Sequence, residues 1–322
     1  MPSSIPVLDL QDFLCDSLAQ QQQFVATLGQ ALETVGFFAL ENHNVDAYLI
    51  KLAYEAATDF FALPEITKQS YERPEINQQR GFTRFGQEHA KDSIVPDLKE
   101  FWHVGREEEL ANLWPKEVPQ FQTSMSALYE QLERCAVYLL RACARYLDLP
   151  NNFFDAEAIE GKSILRILHY PHVSGAIAGQ SLRAAPHEDI NLITLLCEST
   201  GPGLELLQTD GRWLAIESLP GQIIVDTGDM LQALSNGVFK STTHRVVNPG
   251  NSESQQHPMD STSAKVSPTN CRFSLPFFMH PRPDFDLTPL PNCVKRTGGQ
   301  PKFPSQTAGQ YLQQRLQEIG LA

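Results

Sequence analysis

Three groups of residues in this chain have the types and spacing for chemistry. In Pro186-His187-Glu188-Asp189 an imidazole and a carboxylate stand two residues apart. On an extended strand such side chains point to one face. A second histidine, His244 in Thr243-His244-Arg245-Val246, stands in a later strand-like segment. Two imidazoles and one carboxylate on one side of an octahedral Fe(II) would leave three positions open for substrate and O2. The third group is Arg272-Phe273-Ser274, again two apart on a strand. A guanidinium can hold a carboxylate bidentately, and a hydroxyl can add a further bond.

Each group alone has a plainer reading. Nine histidines among 322 residues give roughly 0.4 His-x-Asp pairs by chance at ordinary aspartate usage. His187 and Asp189 could be bonded near a turn, His244 could cap one, and Arg272 could pair with a surface acid.

The elements that must position these groups change character near residue 160. Before it, apolar spacing predicts helices over about Asp16–Val35, Val45–Phe61 and Ser124–Tyr146. Short strands are expected at Gly36–Leu40 and Leu98–Val104. After it, β-prone runs take over: Ser163–Tyr170, Ile190–Cys197, Leu204–Gln208, Gln222–Asp226 and Arg272–Phe278. Gly, Pro and Asp punctuate most of them, which suggests a sandwich or jelly roll. A final helix is expected at about Ala308–Ile319. The polar run Pro249–Asn270 reads as a surface loop.

Composition narrows the function. Lys and Arg number 25 against 38 Asp and Glu, a net charge of −13. That argues against a binder that works by neutralising nucleic-acid phosphates. With 42 % hydrophobic residues there is ample material for a core. No apolar run is long enough to span a bilayer, and the first residues show no export signal. The six cysteines form no C-x-x-C pair. They read as free thiols in a reducing compartment, so a cytoplasmic protein is expected.

Taken in order, the motifs resemble the isopenicillin N synthase-like branch of the Fe(II)/2-oxoglutarate-dependent oxygenases. They are Ile5-Pro6-Val7-Leu8-Asp9-Leu10, Gly36-Phe37-Phe38, His187-Glu188-Asp189-Ile190-Asn191-Leu192-Ile193-Thr194, Gly203-Leu204-Glu205-Leu206, Gly228-Asp229-Met230-Leu231, Ser235-Asn236-Gly237, Lys240 to Val246, and Arg272-Phe273-Ser274. The resemblance covers nearly the whole chain. It implies a double-stranded β-helix (jelly-roll) core, mainly β with α, with a helical N-terminal half and a C-terminal helix. It divides the chain into an N-terminal helical region (1–158), a jelly-roll oxygenase domain (159–282) and a C-terminal tail and helix (283–322).

The resemblance further implies that His187, Asp189 and His244 ligate Fe(II). Arg272 and Ser274 would bind the distal carboxylate of 2-oxoglutarate, with Tyr170 assisting. Phe278, Arg166, Leu168, Trp102 and His103 are candidates for the substrate pocket. Because they alternate on one strand, only one of Trp102 and His103 should face it. No separate acid or base is assigned. Leu168 stands where the family often has Asn, which removes one polar contact near the cosubstrate. O2 needs four electrons, two from decarboxylation of 2-oxoglutarate to succinate and CO2 and two from a substrate C–H. Hydroxylation is the usual outcome; desaturation and ring closure use the same oxidant. Two alternatives are an isopenicillin N synthase-type oxidase without 2-oxoglutarate, in which Arg272 holds a substrate carboxylate, and a non-catalytic jelly-roll binder. The expected partner is a small molecule, not nucleic acid or membrane, and no protein partner can be inferred.

Overall fold

The computed structural model describes residues 4–89, 96–107, 110–172, 182–217, 219–248 and 271–318. In its first half, strands β1 (Val7–Asp9), β2 (Phe37–Glu41), β3 (Gly81–Thr83) and β4 (Glu100–Gly105) are set among helices α1 (Leu10–Leu14), α2 (Leu18–Thr34), α3 (Ala47–Phe61), α4 (Glu65–Gln69), α5 (Gln120–Tyr146) and α6 (Asp155–Ile159). Asp9, Ser17 and Asp46 open α1, α2 and α3, their side-chain oxygens accepting amide hydrogens that have no partner within the helix. Along α5 the buried residues Phe121, Met125, Leu128, Leu132, Cys135 and Leu139 recur every three or four positions, a single apolar stripe.

The second half is mostly strand: β5 (Ile164–Tyr170), β6 (Ala184–His187), β7 (Ile193–Cys197), β8 (Leu204–Leu207), β9 (Trp213–Ala215), β10 (Ile223–Thr227), β11 (His244–Val246), β12 (Arg272–Ser274) and β13 (Pro276–Met279). Helix α7 (Asp229–Leu234) interrupts it, and α8 (Pro291–Arg296) and α9 (Ala308–Glu318) follow. The larger sheet runs β1-β2-β10-β7-β13-β5-β4-β3, with β12 also on β5; the smaller runs β6-β11-β8-β9.

Strand alternation divides the core in two. On the outer face of the large sheet Phe38, Leu40, Trp102, Leu165, Ile167 and Val225 join the cluster made with the helices. On its inner face Phe37, Ala39, Phe101, Leu168, Tyr170 and Ile224 meet Leu204, Leu206 and Val246 of the small sheet. This is a jelly-roll core with helices packed on one side, as the sequence implied. Among the described residues no helix is long and apolar enough to cross a membrane.

Three strand expectations change. The expected strand Ile190–Cys197 starts only at Ile193. The amides of Gly228, Asp229 and Met230, leading into α7, donate to the carbonyls of Leu192 (3.0 Å), Asp189 (2.8 Å) and Asn191 (3.0 Å). The chain from Asp189 to Leu192 is thereby bent out of the ladder. A Cβ at Gly228 would stand 2.3 Å from the Asn191 carbonyl oxygen, so this close approach requires glycine. His187 and Asp189 therefore do not share one strand: His187 ends β6, and Asp189 lies in the turn beyond it. The run Arg272–Phe278 breaks at Leu275 into β12 and β13. The polar run 249–270 lies outside the described residues.

Candidate active site

His187 and His244 are register partners on antiparallel β6 and β11, and their ring centroids lie 4.4 Å apart. Each ring uses Nδ1 on a backbone carbonyl two residues back: His187 on Ala185 at 2.7 Å and His244 on Thr242 at 3.2 Å. With Nδ1–H donating, Nε2 carries the lone pair. Both Nε2 atoms face Asp189 Oδ1, at 3.8 Å and 3.7 Å. The other Asp189 oxygen accepts the Thr194 hydroxyl, and Thr194 Oγ1 in turn accepts from Asn191 Nδ2 at 2.8 Å.

One donor atom from each of His187, Asp189 and His244 lies within 4.8 Å of the other two, the group of this kind among the described residues. Desolvation and the neighbouring His244 push the His187 imidazole down to about 4. It is neutral at physiological pH, the form a metal requires. Burial, then the charge of Asp189, raises the Asp226 carboxyl well above the usual range.

Behind this cluster is a slot of about 70 Å³, lined by Leu168, Tyr170, Leu204, Val246, Arg272 and Ser274 among others. Arg272 is 1 % exposed. Its guanidinium donates to the Gly201 carbonyl (2.9 Å), Ser274 Oγ (3.2 Å) and Ser199 Oγ (3.0 Å). It also lies 5.1 Å from the centre of the Tyr170 ring. All these partners are neutral. Among the described residues no carboxylate stands within ion-pair distance of Arg272. A buried cation without a counter-ion is costly, so the slot ends in a seat for an anion.

In front of the cluster is a cavity of about 560 Å³. Glu88, Lys99, His103, Arg166, Phe278 and His280 line it, and Leu312, Arg315 and Leu316 of α9 close one side. Arg166 lies 4.3 Å over the Phe101 ring and 5.4 Å over the Phe278 ring. It donates to His103 Nε2 at 2.7 Å and Glu88 at 3.1 Å. His103 Nδ1 donates to the Gln78 carbonyl at 2.8 Å. Burial, then the Arg166 charge, keeps this imidazole neutral, well below its ordinary range. Burial would raise the Glu88 carboxyl, but Arg166 and Lys99 outweigh it and hold it far below the usual carboxylate range.

The structure thus brings together ten of the eleven residues singled out from sequence. The exception is Trp102, which is 0 % exposed. Strand parity turns it to the helical side, where it packs against Phe60, Tyr71 and Phe121. His103 is the member of the pair that faces the cavity. Sequence reasoning missed Thr194, Ser199, Asp226, Glu88, Lys99 and His280. Of these, only His280 carried a usable signal: it stands two positions past Phe278, just beyond the end of the strand assigned to the pocket.

Comparison with known proteins agrees with this geometry. Residues 161–281 match the family model described as the 2OG-Fe(II) oxygenase superfamily, and residues 5–119 match that of the non-haem dioxygenase in morphine synthesis N-terminal region. A proline hydroxylase of Petromyces alliaceus is 31 % identical over 323 residues, covering 96 % of this chain and 97 % of that one. The chain belongs to the isopenicillin N synthase-like Fe(II)/2-oxoglutarate oxygenases. Among solved structures of such oxygenases, one from Caulobacter crescentus is 36 % identical, with a TM-score of 0.80 over 98 % of this chain and 99 % of that one. A full-length Neurospora crassa protein solved with α-ketoglutarate and thymine is 26 % identical, with a TM-score of 0.83 over 97 % of this chain and 96 % of that one. As an oxygenase of this family, the protein uses Fe(II), 2-oxoglutarate and O2 to oxidise a small organic substrate.

Proposed function

We propose the following division of labour. His187, Asp189 and His244 hold Fe(II) through two Nε2 atoms and one carboxylate oxygen. Arg272 and Ser274 bind the distal carboxylate of 2-oxoglutarate at the closed end of the slot. Tyr170, beside Arg272, and the apolar wall of Leu168 shape that slot. Substrate enters the front cavity between Phe278, His103 and Arg166, and a C–H bond is hydroxylated. Of the four electrons O2 needs, bound 2-oxoglutarate would supply two through its decarboxylation to succinate and CO2 and the substrate C–H bond would supply two, with the iron providing the site where O2 is activated.

The protein's own groups bind, orient and shield. The backbone carbonyls of Ala185 and Thr242 fix both imidazole tautomers, and Thr194 fixes the carboxylate. Phe278 and the α9 leucines keep water from the reacting face. The single observation that carries the reading is the buried, acid-free Arg272 at the end of a slot that opens on three metal donors. A compact polar molecule fits the front cavity; two relatives are, by name, a proline hydroxylase and a protein solved with thymine. All six cysteines are unpaired, which supports a reducing, cytoplasmic setting.

The test is anaerobic addition of 2-oxoglutarate to the Fe(II) protein, followed by O2. A visible charge-transfer band and then succinate are expected. Iron-loaded protein that gives neither band nor succinate would overturn the assignment.

A further inference from the structure

Lys99 immediately precedes β4 and is buried. In the β4–β5 ladder Glu100 pairs with His169 and Phe101 with Leu168. That register carries Lys99 to the level of Tyr170 and onto the inner face of the sheet. Its ammonium donates to Glu88 at 2.6 Å and to Asp97 at 2.7 Å. An ammonium has three N–H bonds, so one is left. Lys99 lines both the slot and the front cavity, as do His187 and Asp189. It therefore stands where the two spaces meet, at the metal end of the slot.

We propose that Lys99 is a cosubstrate-binding residue, giving the iron-side, 2-oxo acid end of 2-oxoglutarate a cation of its own. This rests on the reading of the slot given above. The cosubstrate is a dianion, and Arg272 can meet only the carboxylate at the closed end. Leu168, Phe37 and Val246 of the slot wall have no side-chain hydrogen bond to give. Arg166 also lines both spaces, but its guanidinium lies over the Phe101 and Phe278 rings and bonds to His103 and Glu88, on the side of the front cavity. The third N–H of the fixed ammonium is a charged donor where the two spaces meet. Glu88 and Asp97 fix the position of the ammonium, and they also keep it protonated: burial alone would lower it, and the two carboxylates outweigh that.

The competing role is purely structural. Asp97 accepts the Ala185 amide at 2.9 Å, so Lys99 could act only by holding Asp97 against β6. Four variants separate the two roles: Lys99→Met, Lys99→Arg, Asp97→Asn, and the double variant Lys99→Met/Asp97→Asn. The double variant removes the carboxylate that Lys99→Met would leave unpaired, and so guards against loss of fold.

Three quantities are measured on each: Mn(II) affinity without cosubstrate, 2-oxoglutarate affinity of the Mn(II) protein by calorimetry, and the charge-transfer band of the anaerobic Fe(II) complex. In both Met variants 2-oxoglutarate should bind at least about tenfold more weakly, the scale of one charge-assisted hydrogen bond. Mn(II) affinity should stay within about threefold. The band should move to shorter wavelength, because a cation near the oxo acid stabilises the acceptor orbital. Lys99→Arg should recover part of the affinity, and Asp97→Asn should keep it.

Unchanged 2-oxoglutarate affinity in a folded, metal-binding Met variant would overturn the proposal. So would a loss of Mn(II) affinity equal to the loss of cosubstrate affinity. If Arg272→Met weakens 2-oxoglutarate binding while the Lys99 variants do not, only Lys99 is misassigned. If the unsubstituted protein binds none, the reading of the slot falls with it.

Discussion

The Nε2 atoms of His187 and His244 both face a single oxygen, Oδ1 of Asp189, from neighbouring antiparallel strands. The strand ladder sets the spacing of the two rings, and backbone carbonyls set their tautomers. His187→Ala and His244→Ala should therefore each lower Fe(II) affinity by at least about 100-fold, more than is usual for loss of an outer partner, with little change in fold. Iron content after dialysis, alongside the far-ultraviolet circular dichroism spectrum, checks this. Retention of stoichiometric iron by either variant would remove that residue from the ligand set.

Asp189 is oriented by Thr194, which is held in turn by Asn191. Thr194→Val keeps the shape and removes the hydroxyl. Metal affinity should fall about 10- to 100-fold, as for other outer partners of metal ligands. The side chain is buried, so the new methyl group causes no exposure. Competition with a chelator measures the effect. An unchanged affinity would mean that the turn alone fixes the carboxylate.

Arg272→Met should separate binding from stability. The guanidinium is buried among neutral acceptors, so in the free protein its removal relieves an uncompensated charge. The metal-free variant should melt at or above the temperature of the unsubstituted protein. Its 2-oxoglutarate affinity should fall by about 100-fold or more, the scale of a lost bidentate ion pair. Thermal melts with and without 2-oxoglutarate give both numbers. A destabilised variant with normal cosubstrate affinity would make Arg272 a structural residue.

How much of this was legible follows from where each residue sits. His187 and His244 lie at strand ends, Asp189 just past one, and the Arg-x-Ser pair makes up β12, so that residue type and two-residue spacing show in the sequence. The parity of β4 was legible too: one of Trp102 and His103 had to face away, and the large helical-side cluster took the tryptophan. The bend at Asp189 was not, because it depends on amides at the start of α7, far along the chain. Ser199 follows a strand without any pattern, and Glu88 lies in an irregular stretch. Lys99 and Asp97 are near neighbours in sequence, but they reach the site only through the pairing of β4 with β5 and the backbone bond from Ala185. No local periodicity records such contacts.

Two side chains of helix α9 meet one carboxylate of α7. Tyr311 donates to Asp229 Oδ2 at 2.8 Å, and Arg315 stands 3.4 Å from the same oxygen. Between and beyond them Leu312 and Leu316 face the cavity. Asp229→Asn keeps the volume and removes the charge. This contact should loosen by about 1 to 3 kcal/mol, the range for a hydrogen bond to a charged group. Hydrogen exchange should then quicken in residues 308–318 while β5 and β7 stay protected. Equal protection of α9 in both proteins would show that its leucines alone hold it.

Besides His187, two more buried imidazoles make stability depend on pH. His103 is kept neutral by burial and Arg166. Burial holds His280 down to about 4, and its Nδ1 has no hydrogen-bond partner. In the unfolded chain both should titrate near the ordinary value of about 6.5. Above that pH neither state is protonated, and the two histidines are silent. Below it the unfolded chain takes up protons that the folded one refuses, so stability falls as pH falls, until the folded value is reached. Each histidine contributes up to about 1.4 kcal/mol per pH unit. Carboxylates such as Glu88 add their own loss only at lower pH. Urea unfolding of the metal-free protein between about pH 7.5 and pH 5 covers the histidine range, and the difference between the unsubstituted protein and His280→Phe isolates the His280 contribution from that of raised carboxyls such as Asp226. His280→Phe should reduce the slope by about one proton and, by removing an unpartnered buried polar atom, should not lower stability at neutral pH. A variant with the full slope would place the missing proton elsewhere.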